Sequence, residues 1–505
     1  MGNQGSKAST PSESGGIRFK IKGLRWWVIG MIMLITIINY LDRGTLNYMW
    51  VANIEYNLVD EINPDANVNQ AQFFSNDSSY LLVSKKGEKV TMHVSKLSFK
   101  NDGKTVVNRQ GIAYDLGIVD KNASVADATK QAKDLLGQIT IFFMIAYGFS
   151  QLFSGKLYDK IGTRKGFLVS VLIWGTADAL TSLARGKVSL TGFRMMLGLG
   201  EAGPWPGATK SNAEWFPQKE RAFAQGLFGA AASIGSILAP VIILMLYISF
   251  GWKITFVIVG GIGLLWIIPW LVINTKGPKE HKWITENERE YILSGQPESK
   301  ISDERAKSWA ELLSNKKNYS VILGRFFLDP IWWMFVTFLP MYLVDQYKLN
   351  IKELAFSAWI PYVGAMIGSI SGGWFSGYLI RKGKTVDRAR KTAMVLGGFI
   401  IVPSVIAAVL VPNAIAAVIL MAFVLGGFQF TIVNIQTLPS DLHCGKSVGS
   451  LAGLGGAAAV LGTILAILFA GQIASWPLLF GLLAALVPLS LLSVFLTVGK
   501  IEQIK

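Results

Sequence analysis

Residues 475–498 read SWPLLFGLLAALVPLSLLSVFLTV, and residues 254–274 read ITFVIVGGIGLLWIIPWLVIN. Neither stretch contains a charged residue, and neither shows the polar face that a surface helix of a soluble protein repeats every turn. Both are as long as the roughly 20 apolar residues that a helix needs to cross a membrane. These stretches decide the fold class: an all-α integral membrane protein rather than a large soluble one.

Apolar stretches of similar length recur along the rest of the chain. Of its 505 residues 51% are hydrophobic and 16% are charged, whereas soluble chains carry about a quarter charged residues. The stretches lie near 25–49, 136–155, 166–184, 188–214, 221–248, 253–274, 319–343, 353–380, 392–411, 414–438, 447–472 and 475–498. We therefore expect about twelve transmembrane helices of roughly 20 residues.

A mixed-charge loop over 275–318 divides these stretches into two groups of six. Two six-helix bundles facing each other across a cavity are one major transporter architecture, so 1–274 and 319–505 are each predicted to form a bundle. Mixed charge with interspersed apolar residues predicts short amphipathic helices in this linker. Residues 53–134 contain alternating apolar and polar residues and the turn sequence NDG at 101–103, which predicts a small β-rich extracytoplasmic insert.

The net charge of +16 is explained by where the basic residues lie. Lys and Arg cluster in alternate loops, including 18–25, 156–165 and 381–391. Basic residues in short loops stay on the cytoplasmic side of a membrane. Both termini and the linker are therefore predicted to be cytoplasmic in a multi-pass protein of the cell inner membrane. The lipid bilayer is the expected surrounding, and no nucleic-acid partner is expected.

The sequence does not indicate an enzyme, a metal site or a cofactor. Cys444 is the single cysteine, so no internal disulfide framework is expected, and His93, His281 and His443 show no metal-ligand spacing. The first apolar stretch has the length of a span and lacks a small-residue cleavage site, so we expect no cleavable signal peptide. Residues 1–6 match the N-myristoylation pattern, which leaves lipidation open. A monomer is expected.

Two adjacent charges, Asp42 and Arg43, lie inside the first apolar stretch. Each costs about 2.5–3.5 kcal/mol near the centre of a spanning helix, so both are expected to face a partner or a watery cavity. Adjacent residues point roughly 100° apart on a helix, so the two side chains are predicted to face different neighbours. The structural alternative is a pair that reaches the membrane surface at the end of the span.

The fourth stretch carries Arg194 and Glu201, which are seven residues apart. Seven residues are two helical turns, so both lie on one face, roughly 10 Å apart, with room between them for a charge from another helix or for a ligand. A buried acid that can be neutralised can carry a proton, and an arginine that leaves this acid can bind a substrate carboxylate. These charges predict an anionic substrate coupled to protons, with a purely structural ion pair as the alternative.

Polar residues of other apolar stretches are weaker indicators of a binding site. Tyr147 and Asn434 can line a sugar site, because amides and tyrosines hold hydroxyl-rich ligands, but bonding between helices explains them equally well. Asp178 is a lone acid in the third stretch, and the sequence assigns it no role. Arg325 and Asp329, four residues apart, most simply form an ion pair along one helix face.

Several motifs resemble those of the major facilitator superfamily. GKLYDKIGTRK at 155–165 is similar to its loop between the second and third spans, and GWFSGYLIRK at 373–382 keeps the glycines and basic residues without the acid. NYLDR at 39–43 and GEAGPWP at 200–206 are similar to its anion:cation symporter branch, and within it to bacterial hexuronate and sugar-acid transporters. The insert at 53–134 is much longer than the usual connection.

The resemblance implies roles for individual residues. It implies proton coupling by Asp42 and Glu201. The residues that it places around the substrate carboxylate are Tyr40, Arg43, Tyr147 and Arg194. A fifth-span glutamine of some aldonate carriers is replaced here by Ala232, which weakens an aldonate assignment.

We therefore predict a proton-coupled secondary active symporter that imports a sugar-acid anion by alternating access. A hexuronate such as glucuronate or galacturonate is the expected substrate, with protons as the coupling ion. Within the same class, the alternative is another organic anion such as an aldonate or a sialic acid. From a different class, the alternative is a transporter-like nutrient receptor that senses through the insert.

Overall fold

The structure is a computed structural model. It describes residues 20–50, 52–58, 79–84, 89–93, 97–99, 105–120, 125–296, 306–347, 357, 359–470 and 475–504. Within these residues a helical membrane core carries a small antiparallel sheet between its first two long helices.

Five helices of 12 residues or more and one short helix are described before the linker. They are α1 (Leu24–Met49), α2 (Ile112–Asp115), α3 (Val125–Thr181), α4 (Lys187–Glu201), α5 (Pro204–Trp215) and α6 (Gln218–Ile273). Two of them bend at a glycine in the left-handed region, α3 at Gly162 (φ 79°) and α6 at Gly251 (φ 74°). Only glycine adopts this backbone routinely, so each bend divides its helix into two arms. α5 starts at Pro204, which cannot donate the hydrogen bond that would continue α4.

Two short helices lie in the linker, and long helices follow it. They are α7 (Glu286–Ser294), α8 (Trp309–Ser314), α9 (Tyr319–Tyr347), α10 (Ile360–Arg381), α11 (Val386–Leu410), α12 (Ala414–Leu442), α13 (Val448–Ala470) and α14 (Trp476–Val498). The Glu288 carboxylate of α7 accepts hydrogen bonds from the backbone N–H of Leu24 and from the Arg25 guanidinium, each at 2.9 Å. The first turn of α1 contains no acid, so Glu288 supplies the negative charge that a helix N-terminus favours.

Five strands lie between α1 and α2. They are β1 (Ala52–Leu58), β2 (Ser79–Ser84), β3 (Lys89–His93), β4 (Leu97–Phe99) and β5 (Thr105–Gln110). All neighbours pair antiparallel in the order β3-β2-β1-β5-β4. β1 begins shortly after the end of α1, so the sheet lies at the same end of the molecule as the C-terminus of α1. We call this end the insert end. The opposite end, which carries α7 and α8, is the linker end.

The prediction of an α-helical membrane protein is confirmed. Among the described residues, seven helices are long and apolar enough to cross a membrane. Two of these segments, 130–181 and 218–273, contain 52 and 56 residues, far more than the roughly 20 of one crossing. Large apolar side chains are exposed along the helices; examples are Ile248, Leu265, Phe399 and Leu496. Such a surface is suited to lipid rather than water.

Three hydrophobic clusters form the interior of the described residues. One joins α1, α3, α5 and α6 with the linker, and another joins α9 with α11, α12 and α14. The third lies towards the insert end and joins α1 and α2 with α3, α4 and α6. We refer to α1–α6 as the N-terminal half and to α9–α14 as the C-terminal half. The halves meet through small residues: a Cβ on Gly155 would lie 2.1 Å from the Gly449 carbonyl oxygen, and a Cβ on Gly226 would lie 2.4 Å from that of Ser369. The backbones of the two halves therefore approach closely at these points.

Candidate functional site

The central contact joins α1 to α4. Arg43 donates two hydrogen bonds to Glu201 Oε2, from Nε at 3.0 Å and from Nη2 at 2.8 Å. Glu201 is fully buried, and its Oε1 has no hydrogen-bond partner in the described part of the chain. Arg43 thus engages one oxygen of the carboxylate rather than both, which is not the forked geometry that arginine and carboxylate groups commonly form.

An aromatic cage surrounds the Arg43 guanidinium. Its Cζ lies 5.0 Å from the ring centroid of Tyr40, 5.3 Å from Tyr147, 5.6 Å from Trp333 and 5.8 Å from Phe143. Each ring face attracts a cation at these distances. Trp333 belongs to the C-terminal half and the other three rings to the N-terminal half, so the cage closes across the interface.

Arg194 lies next to this cage, and not all of its guanidinium N–H donors have a hydrogen-bond acceptor among the described residues. Its Nη2 donates a 3.5 Å bond to the backbone oxygen of Arg43, which is at the limit of a hydrogen bond. Its Nη1 is buried and has no acceptor among the described residues. Arg43 thus contacts both residues, Arg194 through its backbone oxygen and Glu201 through its guanidinium.

Asp42 points away from Arg43, as the helix geometry predicts. It is fully buried, and neither carboxylate oxygen has a hydrogen-bond partner within the described ranges. Its charged neighbours are Asp178, Glu201 and Arg194. The two side chains diverge, since only Arg43 hydrogen-bonds Glu201, but Glu201 and Arg194 are neighbours of both residues.

Asp178 is the residue for which the sequence offered no role. It lies on the second arm of α3, fully buried, and both of its carboxylate oxygens lack a partner among the residues described. Arg194 and Glu201 are within electrostatic range. An ionisable residue inside a span signals function, but only the structure shows which helices face Asp178.

Asn434 lies apart from these contacts. Its Nδ2 donates to the carbonyl oxygens of Phe430, at 2.9 Å along α12, and of Gly372, at 3.3 Å on α10. These bonds match the interhelical alternative that the sequence left open. Its Oδ1 is buried without a partner in the described residues, so one polar atom remains for a ligand.

The ion pair predicted between Arg325 and Asp329 is confirmed, with Arg325 Nη2 at 3.0 Å from Asp329 Oδ1.

At the linker end, Asp159 fastens the two halves together. Its carboxylate accepts bonds from Lys210 Nζ at 3.0 Å, from the backbone N–H of Gly449 at 3.1 Å, and from the N–H and hydroxyl of Ser450, each at 2.6 Å. Charge-assisted bonds of this kind are stronger than neutral ones. The motif at 155–165 drew attention to Asp159, but its partners on α13 were not predictable from sequence.

A small cavity of about 10 Å³ lies between the halves on the side of the linker end. Its lining residues are Trp205, Thr209, Val321, Arg325, Gln436, Pro439 and Ala452. They come from both halves.

Proteins with a similar sequence carry sugar acids. The chain is 27% identical to the hexuronate transporter of Escherichia coli K12 over 460 residues, which are 90% of this chain and 89% of the relative. It is 32% identical to the galacturonate transporter of Dickeya chrysanthemi over 297 residues, 57% of this chain and 85% of the relative. The D-galactonate transporter of Escherichia coli O6:H1 is 27% identical over 403 residues, 76% of this chain and 92% of the relative.

The fold has a solved counterpart in the human organic anion transporter MFSD10 (TETRAN). The TM-score is 0.55 at 12% identity, over 94% of this chain and all of that one. At this identity the likeness concerns the fold alone. A model of the Major Facilitator Superfamily matches residues 32–454. The chain belongs to this superfamily.

Proposed function

We propose that this member of the Major Facilitator Superfamily is a proton-coupled symporter that imports a sugar-acid anion, with a hexuronate as substrate. The observation that carries the proposal is the partly buried Arg43, which is caged by aromatic rings and held by a single oxygen of Glu201. A substrate carboxylate can replace that oxygen and take both guanidinium donors in the forked geometry. The similarity to hexuronate and galacturonate transporters supports the substrate class.

In this proposal Glu201 is the acid that couples substrate to protons. When a substrate carboxylate occupies Arg43, Glu201 loses its two hydrogen bonds in a site where it is fully buried. An unpaired buried carboxylate is costly, so Glu201 takes up a proton as the substrate binds. Tyr40 and Tyr147, already beside Arg43, are placed to contact the sugar ring.

The membrane arrangement that we propose has twelve crossings. The bends at Gly162 and Gly251 each divide a long helix into two crossings, and α4 with α5 makes one. The linker end is cytoplasmic in this arrangement, because the basic loops 156–165 and 381–391 lie there. The contacts of Asp159 with Gly449 and Ser450 close that end, and they must open to release substrate.

Uptake by purified protein in liposomes tests the proposal. With an acidic exterior, labelled glucuronate is expected to accumulate, and a protonophore is expected to abolish the accumulation. Competition by galacturonate, galactonate and sialic acid then ranks the substrates, with the two hexuronates expected to compete best. Uptake that ignores an imposed proton gradient contradicts the coupling, and stronger competition by galactonate or sialic acid contradicts the hexuronate assignment.

A further inference from the structure

Asp42 and Asp178 lie at the same level on α1 and α3, two helices that both pack against α6. A Cβ on Gly263 of α6 would be 3.4 Å from Trp174 Nε1 and 3.8 Å from Ile38 Cγ2, so Trp174 and Ile38 flank one point of α6. Asp178 and Asp42 each follow one of these residues by four positions. α1 and the second arm of α3 both run from the linker end towards the insert end. Each aspartate is therefore about 6 Å farther along, at one level of the N-terminal half. Asp178 is also within electrostatic range of Asp42.

The surroundings offer these aspartates few donors. At this level α6 presents its backbone to α3 and no polar side chain, because the residue in contact is Gly260. A Cβ on Gly260 would lie 2.6 Å from the Gly175 carbonyl oxygen and 2.8 Å from the Ala179 nitrogen. Trp174 neighbours Asp42, but its indole nitrogen has no acceptor at hydrogen-bond geometry among the described residues. From α4 come Arg194 and Glu201.

The charges of this region do not balance when all groups are ionised. Three buried carboxyl groups, of Asp42, Asp178 and Glu201, face two guanidinium groups, of Arg43 and Arg194. One negative charge is left over, and burying an uncompensated charge costs several kcal/mol. A single proton removes the excess.

Asp42 and Asp178 are better placed than Glu201 to hold that proton. Glu201 already accepts both bonds of Arg43, whereas all four oxygens of the two aspartates lack a partner in the described structure. A proton on one aspartate turns it into a donor to the other, and an O–H···O⁻ bond is among the strongest hydrogen bonds. Two carboxylates that share a site cannot easily both ionise.

We propose that Asp178 and Asp42 form a carboxyl pair that shares one proton, as a proton site separate from the Arg43–Glu201 pair. The proposal deepens the proposed function, because it adds Asp178 to the coupling machinery. Arg194, which is buried with an unpartnered Nη1, serves as the switch. It is available to the substrate carboxylate while the pair is protonated, and it compensates the second negative charge after the proton leaves to water.

Difference infrared spectroscopy of the purified full-length protein tests this pair. At neutral pH without substrate, wild type is expected to show a buried carboxylic-acid C=O band that Asp178→Asn removes. Asp42→Asn is expected to remove the same band. This second variant tests the pair if the Asp178→Asn protein does not fold. Asp329→Asn is the matched control, since Asp329 is paired with Arg325, and it should leave the band in place.

Two outcomes overturn the pair. One is a carboxylic-acid band that survives both Asp178→Asn and Asp42→Asn. The other is a loss of the band when Na⁺ is added at constant pH, which would identify a sodium site instead. Glucuronate binding, measured separately, distinguishes the two proposals: wild type with the band but no glucuronate binding contradicts the transport function alone, and glucuronate binding without the band contradicts the pair alone.

Discussion

Arg43 and Glu201 share two hydrogen bonds through a single carboxylate oxygen, at 2.8 and 3.0 Å, and leave the other oxygen of Glu201 unpartnered among the described residues. A forked contact would use both oxygens and hold the pair more firmly. The observed contact holds Arg43 in place inside its cage of rings while leaving the exchange of one carboxylate for another favourable.

Substitution of Arg43 is expected to weaken the binding of the substrate. Arg43→Lys keeps the charge but loses the planar fork, so glucuronate affinity is expected to fall at least about tenfold, or ~1.4 kcal/mol. Arg43→Ala is expected to abolish measurable binding. Isothermal titration of the detergent-solubilised protein measures both, with Arg289→Lys in the linker as the control. An unchanged isotherm for Arg43→Ala would return the residue to a structural role.

Glu201→Gln is expected to separate exchange from accumulation. The amide still occupies the space beside Arg43 but cannot take or release a proton. Gradient-driven glucuronate accumulation should therefore be lost, while exchange of internal for external glucuronate continues. Glu280→Gln, which changes an exposed residue of the linker, is the matched control. Normal accumulation by Glu201→Gln would remove this residue from the coupling role.

Asp159→Asn is expected to loosen the closure at the linker end. The substitution removes the charge that holds Lys210, Gly449 and Ser450, and a hydrogen bond to a charged group is worth about 1.5–3 kcal/mol. In a Cys444→Ser background, a cysteine at Gln436 in the cavity wall should react with maleimide at least about tenfold faster after this change. Equal labelling rates with and without Asp159→Asn would contradict a gating contact.

His443 is expected to make the stability depend on pH. Its ring, just beyond α12, contacts Asn318 Oδ1 at 2.8 Å, and burial beside Lys307 lowers the pKa of the imidazole from 6.5 to about 4. The folded protein therefore holds His443 neutral where the unfolded chain protonates it. Stability from this residue is present above pH 6.5 and is lost as the pH falls to about 4.

His443→Gln tests this dependence, because glutamine keeps a donor for Asn318 but does not titrate. Melting temperatures across that pH range should fall less steeply for the variant than for wild type. If the melting temperatures of wild type and variant fall equally with pH, His443 does not contribute to the pH dependence of stability.

The membrane class and the main charged residues were predictable from sequence, because uncharged stretches and charges inside them are local signals. The stretch at 475–498 and the sequence NYLDR at 39–43 need no partner to be recognised. The helix period also predicted that Asp42 and Arg43 diverge, and the structure bears this out.

The partners of these residues were not predictable, because they come from distant parts of the chain. Nothing in the sequence places Trp333 over Arg43, and nothing places Asp178 within electrostatic range of Asp42. Glu288 caps α1 from a position 264 residues away. Such pairings depend on how helices pack, and helix packing is a property of the whole bundle.

The most direct test of proton-coupled sugar-acid transport measures both ions in one experiment. Liposomes containing the protein and a trapped pH-sensitive dye, with no gradient imposed, receive glucuronate on the outside. Coupled import predicts that the lumen acidifies as labelled glucuronate enters, and that the Glu201→Gln protein gives no acidification. Entry of labelled glucuronate through the wild-type protein with no change in luminal pH would contradict the account.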